Sequence, residues 1–176
     1  VVDENRQLYE KLCGYARDYD KKGQLRVIFN PVDNGLSHDR NIGIGSSSGE
    51  IIAFIDDDAF PVPGWVDEIV DTFAESDRCG AVAGDVEPLW ESAGMKWFPR
   101  ELYWLLSCSY TMTPKEKREV ERGFGVNMAF RKEILVQAGL FNVMLGVSEK
   151  RWIGCEDTDM FLKLRDLKAT VMFNPG

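Results

Sequence analysis

Ile51-Ile52-Ala53-Phe54-Ile55-Asp56-Asp57-Asp58 decides how the rest of the chain is read. Five apolar residues in a row fit a strand buried on both faces, as in a parallel sheet. Three carboxylates follow at its C-terminal end, where open α/β sheets bind their ligands. Adjacent carboxylates repel one another unless a cation sits among them. Hard oxygen donors suit Mg²⁺ or Mn²⁺, ions that commonly bridge a protein carboxylate to substrate phosphates. The stretch therefore reads as a metal-dependent site for a phosphorylated donor. A solvated acidic turn is the competing reading, since Asp is a frequent turn residue. A calcium EF-hand loop is excluded. Counted from Asp56, Pro61 and Asp67 stand where that loop needs Gly and Glu.

Outward from this strand, hydrophobic periodicity alternates between helix and strand. Leu8, Leu12, Tyr15 and Tyr19 recur at helical spacing, and Lys21-Lys22-Gly23 supplies a stop. Leu25 to Phe29 reads as a short strand, followed by turn chemistry at Asn30-Pro31-Val32-Asp33-Asn34-Gly35. Ser37 is placed to cap a helix running towards Ser46. After the break at Pro61-Val62-Pro63-Gly64, Trp65, Ile69 and Phe73 mark an amphipathic helix to about Ser76. Cys79 to Val86 and Gly125 to Phe130 read as strands, and Lys132 to Ala138 as a helix. A last amphipathic helix begins at Glu156-Asp157-Thr158-Asp159, with Phe161, Leu164 and Leu167 facing inward. It is followed by a strand-like run at Val171-Met172-Phe173. This alternation predicts a parallel, doubly wound α/β sheet.

Between Leu89 and Arg122 the pattern changes. Trp90, Trp97, Phe98, Tyr103, Trp104 and Tyr110 are interrupted by Pro99 and Pro114. Aromatics rimmed by polar groups suit carbohydrate or lipid-linked ligands, although covering an open face of the sheet explains most of them equally well. Lys115 to Arg122 reads as a solvated helix or mobile loop.

Bulk properties narrow the class. The 176 residues suit a single domain with a real core, at 44% hydrophobic and 28% charged. A net charge of −8 without a basic stripe argues against nucleic acid as a partner. Cys13, Cys79, Cys108 and Cys155 form no C-x-x-C pair, so reduced thiols in a cytoplasmic setting are expected. No apolar run approaches the roughly 20 residues that cross a bilayer. Gly43-Ile44-Gly45-Ser46-Ser47-Ser48-Gly49 resembles a dinucleotide fingerprint, but its last glycine is late and it precedes a strand. His38, the single histidine, reads as a surface or loop residue. Both ends of the chain look cut.

An ordered series of motifs then resembles inverting glycosyltransferases of family 2, whose GT-A fold implies an α/β architecture with a mixed, mostly parallel sheet and helices on both faces. Gly35-Leu36-Ser37-His38-Asp39-Arg40-Asn41-Ile42-Gly43 is similar to the family's small-residue helix ending in Ala-Arg-Asn. Gly49 to Asp58 is similar to its D-x-D strand. Gly125-Val126-Asn127-Met128-Ala129-Phe130-Arg131 resembles the segment beside the acceptor, and Gly154-Cys155-Glu156-Asp157 the segment holding the base.

The resemblance implies Mn²⁺ or Mg²⁺ bound by Asp58, with Asp56 holding the donor ribose or a metal-bound water. Asp3, Arg40 and Asp57 would contact the nucleotide-sugar donor. Asp157 is implied as the general base, and Glu156 as an acceptor-orienting group or a capping carboxylate. Asn127, Trp97, Tyr103 and Trp104 would meet a glycan or polyprenyl-linked acceptor. The family's first strand and helix are absent before Val1, so a single domain truncated at its N-terminus is expected, with an exposed strand edge through which copies would associate. Its location would be cytoplasmic or the cytoplasmic face of a membrane, with membrane-surface association in a longer parent. Two other readings compete: a sugar-phosphate nucleotidyltransferase, and a pseudoenzyme that binds a glycan or partner.

Overall fold

The computed structural model describes residues 1–3, 5–20, 22, 24–32, 34–149 and 152–176, with the side chains of Asp3 and Ala93 outside the description. Packing divides the chain into two compact units, Val1–Ser48 with Leu140–Glu156 and Gly49–Gly139 with Asp157–Gly176.

In the first unit β1 (Val2–Asp3) pairs in parallel with β2 (Phe29–Asn30). Between them runs α1 (Arg6–Tyr19), capped by Asn5, whose side chain accepts from the Leu8 amide at 2.9 Å. Lys21 and Gly23, taken as its stop, lie outside the described residues. The strand expected from Leu25 to Phe29 shrinks to Phe29–Asn30, the last residue of that run and the first of its turn. The Leu25 amide donates to the Asp20 carboxylate and the Arg26 guanidinium to the Ser46 carbonyl, bonds that serve loop structure.

The helix α2 (Leu36–Ser46) is present, but Ser37 does not cap it. Gly35, with φ 84°, takes the cap position, and Ser37 is buried inside the first turn. His38 sits on α2, half-buried, 3.4 Å from the Asn30 amide; it is not a loop residue.

The second unit is a sheet with a helix layer on each side. Its strands are β3 (Ile51–Ile55), β4 (Cys79–Gly84), β5 (Arg118–Val120), β6 (Asn127–Arg131) and β7 (Thr170–Asn174). They are ordered β3-β6-β4-β7-β5. The helices are α3 (Trp65–Ala74), α4 (Lys132–Gln137) and α5 (Glu156–Asp166). The expected mixed sheet is present, but only β4 and β7 run parallel; the other three pairings are antiparallel.

The correction has a topological cause. β6 enters between β3 and β4 from the long connection after β4, without a crossover helix, and runs against both neighbours. The apolar run Ile51–Ile55 is therefore an antiparallel strand at one end of this order, and Ile55 is 40% exposed. Arg118–Val120, read as a solvated helix or mobile loop, is a short strand hydrogen-bonded to β7.

Period-two alternation sorts the two faces. Val82, Ala129 and Cys79 pack under Ile69 and Phe73 of α3, joined by Ile51, Trp65 and Met172. Phe130 points the other way, its ring 5.5 Å from Phe161 of α5, with Met160 and Leu164 also fully buried. Each such side chain stabilises the fold by about 1.5–3 kcal/mol. Leu167, expected inward, lies beyond the last turn of α5 and is 40% exposed. Among the described residues no helix is long and apolar enough to cross a membrane.

Candidate functional site

The acidic triplet leaves the carboxyl end of β3 as a turn, closed by the Ala59 amide donating to the Asp56 carbonyl at 3.1 Å. Asp56 is half-buried, while Asp57 and Asp58 are exposed. Asp58 lines a cavity of about 570 Å³ in the second unit, together with Trp65, Asp85, Cys108 and Asn127. Burial pushes the Cys108 thiol above its usual range, reinforced by the negative charges of Glu87, Asp58 and Asp85. Carboxylates from two separate stretches thus surround this cavity.

Asn127 is held at both ends of its amide. Its Oδ1 accepts from the Trp65 indole Nε1 at 2.9 Å, and its Nδ2 donates to the Asp85 carbonyl at 3.0 Å. The side chain occupies the space over Gly84, where a Cβ would lie 2.1 Å from Nδ2.

Asp157 occupies the first turn of α5, where the helix macrodipole favours a carboxylate. Both its oxygens accept backbone N–H groups, Oδ2 from Gly125 at 3.0 Å and Oδ1 from Thr158 at 2.7 Å. It lines a second cavity of about 860 Å³, with Trp104, Tyr110, Arg118 and Phe124 on the walls. Cys155, two residues before it, adopts a left-handed φ of 69°, uncommon for a residue with a Cβ.

Glu156 and Arg40 meet in the first unit. Arg40 Nη1 lies 2.7 Å from Glu156 Oε1, both side chains are at least nine-tenths buried, and the guanidinium sits 5.4 Å from the Phe141 ring centroid. Removing one member of such a pair leaves a buried charge uncompensated, at a cost of about 3–5 kcal/mol.

The structure therefore brings Asp58 and Asn127 to one cavity and Asp157 and Trp104 to another. Trp97 and Tyr103 line neither. Tyr103 belongs to a ring cluster with Trp90 and Phe98, and Trp97 packs on Phe98 at 5.9 Å while remaining 72% exposed. The Asp3 side chain lies outside the described residues. Trp65, Asp85 and Cys108 line the first cavity, although the sequence reading assigned none of them to a site. Asp85 carried a usable signal, because it follows a strand directly, as Asp56 does.

The family profile described as Glycosyl transferase family 2 matches residues 2–139. The chain belongs to glycosyl transferase family 2. The match covers the acidic strand end and stops short of Asp157. A glucosyl-dolichyl phosphate glucuronosyltransferase from Haloferax volcanii is 26% identical over 164 residues, 93% of this chain and 51% of the relative. The succinoglycan biosynthesis protein ExoM of Rhizobium meliloti is 28% identical over 145 residues, 81% of this chain and 43% of that protein. The chain thus spans about half the length of these relatives.

Two solved structures share the fold. The mannosyltransferase PcManGT from Pyrobaculum calidifontis, in complex with GDP-Man and Mn²⁺, has a TM-score of 0.68 at 18% identity, over 97% of this chain and 43% of its own. GalNAc-T7 with UDP, GalNAc and Mn²⁺ has a TM-score of 0.69 at 16% identity, over 97% of this chain and 34% of its own. These likenesses establish the GT-A type of α/β fold for this family 2 domain.

Among the described residues no three His, Cys, Asp or Glu side chains form a ready-made metal cluster. The donor set still fits Mn²⁺ or Mg²⁺. Such ions need only one or two protein carboxylates when substrate phosphates complete the shell, and Asp58 and Asp85 bring hard oxygens to one cavity.

Proposed function

We propose that this domain is the catalytic part of a metal-dependent, inverting glycosyltransferase that moves a sugar from a nucleoside-diphosphate donor to a glycan or polyprenyl-linked acceptor. The placement of Asp157 carries the reading: a carboxylate with both oxygens fixed by backbone N–H groups, on the wall of a cavity large enough for a sugar. Family membership and the acidic end of β3 support it from the donor side.

In this reading the first cavity takes the diphosphate and the second the acceptor. A divalent cation held by Asp58, with Asp56 or Asp85 beside it, would supply neutralisation of the departing diphosphate. Asp57 would border the nucleotide. Asp157 accepts the proton from the attacking hydroxyl as the bond to the anomeric carbon forms. The leaving group departs from the opposite face, so the anomeric configuration inverts. Trp104 offers its ring to a sugar face. Arg40 and Glu156 act as a pair that fixes the loop before α5, because each already occupies the other's charge.

The name of the Haloferax volcanii relative, which carries a dolichyl phosphate-linked glucose, favours a lipid-linked acceptor over a free glycan. Such an acceptor would hold the enzyme at a membrane surface.

The test uses full-length protein, a panel of uridine and guanosine diphosphate sugars, and Mn²⁺ with a chelator control. Acceptors are a polyprenyl-phosphate-linked glucose and a free oligosaccharide. Mn²⁺-dependent transfer with an inverted anomeric centre by NMR is expected. Donor binding without transfer or hydrolysis would favour the pseudoenzyme reading, and retention of configuration would overturn the mechanism.

A further inference from the structure

We infer that Asn127 is a positioning residue for the donor cavity, locking the Trp65 indole to the backbone of Asp85. The inference rests on the donor and acceptor assignment above and moves Asn127 from the acceptor side, where the sequence put it, to the donor side.

The three residues come from distant points in the chain. Trp65 opens α3, Asp85 follows the end of β4, and Asn127 begins β6. All three line the cavity that also holds Asp58. Neither segment carrying Trp65 or Asp85 is a strand at that point, so the sheet ladder alone does not fix them. The Asn127 amide does, because its oxygen and nitrogen have fixed, opposite hydrogen-bonding roles. The oxygen takes the indole N–H at 2.9 Å and the nitrogen gives to the Asp85 carbonyl at 3.0 Å. Among the described residues the Asp85 carboxylate has no hydrogen bond or ion pair of its own, which leaves it available to the cavity.

Gly84 shows how tightly the amide is seated. A Cβ there would approach Asn127 Nδ2 to 2.1 Å, Cγ to 2.6 Å and Oδ1 to 2.9 Å. The end of β4 is left bare so that this side chain can lie across it. With no freedom to rotate, the amide sets part of the wall of the cavity that Asp58 also lines before any ligand arrives, the preorganisation that lowers the cost of binding.

The test compares Asn127→Asp and Trp65→Phe with wild type in the full-length protein. Asp keeps an oxygen for the indole but cannot donate to the Asp85 carbonyl when ionised. Phe removes the N–H and keeps a ring. Calorimetry with uridine or guanosine diphosphate and Mn²⁺ gives donor affinity, and steady-state kinetics give KM for donor and acceptor separately. Asn127→Asp should weaken diphosphate binding and raise donor KM by roughly tenfold, in keeping with the loss of one or two hydrogen bonds. Trp65→Phe should do the same by roughly threefold. Acceptor KM and kcat should stay within about twofold for both variants.

A rise in acceptor KM with donor affinity unmoved would return Asn127 to the acceptor side and overturn the inference. A uniform fall in every parameter together with a lower Tm would reduce the amide to a fold-stabilising role. Should Asn127→Asp fail to fold, Trp65→Phe decides by the same criteria. Wild type that binds no nucleoside diphosphate would overturn the donor reading and this assignment with it, whereas wild-type binding with unmoved variants would overturn this assignment alone.

Discussion

The two cavities of the second unit are built from different material. The first is walled mainly by the loops that follow β3 and β4 and by the start of α3, with the Asn127 amide at the start of β6 tying the Trp65 indole to the Asp85 carbonyl. The second is walled by residues from Trp104 to Phe124, with Met112 80% exposed and the short strand β5 among them, and by Gly84, Phe173 and Asp157, whose carboxylate accepts two backbone N–H groups. In the first cavity the two hydrogen bonds of one amide set the start of α3 against the segment after β4. A wall of loop and short 3₁₀ helix can re-pack around different ligands. The difference suits a donor of fixed chemistry on one side and a variable acceptor on the other.

Four experiments test that division, in falling order of expected effect. Asp157→Asn should lower kcat by about 10²–10⁴-fold, the range for loss of a general base, with Mn²⁺-dependent diphosphate affinity unchanged in calorimetry. Turnover near wild type would remove Asp157 from the chemistry. Asp58→Ala should weaken diphosphate binding by about a hundredfold, and only when Mn²⁺ is present. Equal losses with and without the metal would contradict its place as a ligand. Trp104→Ala should raise acceptor KM by roughly three- to tenfold through lost ring contact and leave donor KM alone. A donor effect would merge the two cavities into one.

The smallest effects come from the thiols. Cys108, buried and raised in pKa, should react with a thiol reagent at pH 8 at least about tenfold more slowly than exposed Cys155, and more slowly still with diphosphate and Mn²⁺ bound. Protection of Cys155 instead would misplace the donor. Cys79 provides a control in the core beneath. Burial pushes its pKa from 9.0 to about 11, so the folded state keeps the proton that the unfolded chain releases first. Its contribution to stability is intact below pH 9.0 and fades as pH rises towards 11. Urea titrations across that window should show the decline in wild type and less of it in Cys79→Ala.

Local patterns in the sequence located α1, α3, α4, α5 and the strands β3, β4, β6 and β7 from their apolar residues, and α2 from a residue that suits a helix cap. Direction and neighbour order were not legible there. The apolar run at Ile51 looked like an internal parallel strand, yet a single antiparallel neighbour accounts for its pairing in this sheet. β5 was missed because Arg118-Glu119-Val120 has too few apolar residues to show a period, and its stability comes from hydrogen bonds to β7. Ser37 looked like a cap by residue type, but the backbone at Gly35 supplies the turn instead. Among site residues, Asp58 and Asp157 lie on cavity walls, whereas Tyr103 went to a ring cluster and Trp97 to a contact with Phe98, outside both cavities.

By itself the sequence determined the chemical inventory: carboxylates after an apolar strand, an acid pair at a helix start and an aromatic-rich stretch. These are properties of neighbours in the chain, and short-range sterics and periodicity fix them. Only the tertiary structure decided which groups share a cavity. Asp85 and Asp58 line one cavity, Trp65 is linked to the Asp85 backbone through Asn127, and Arg40 is taken by Glu156 across 116 positions of sequence. Such pairings depend on how strands order and turn around a common core, and no local pattern encodes that.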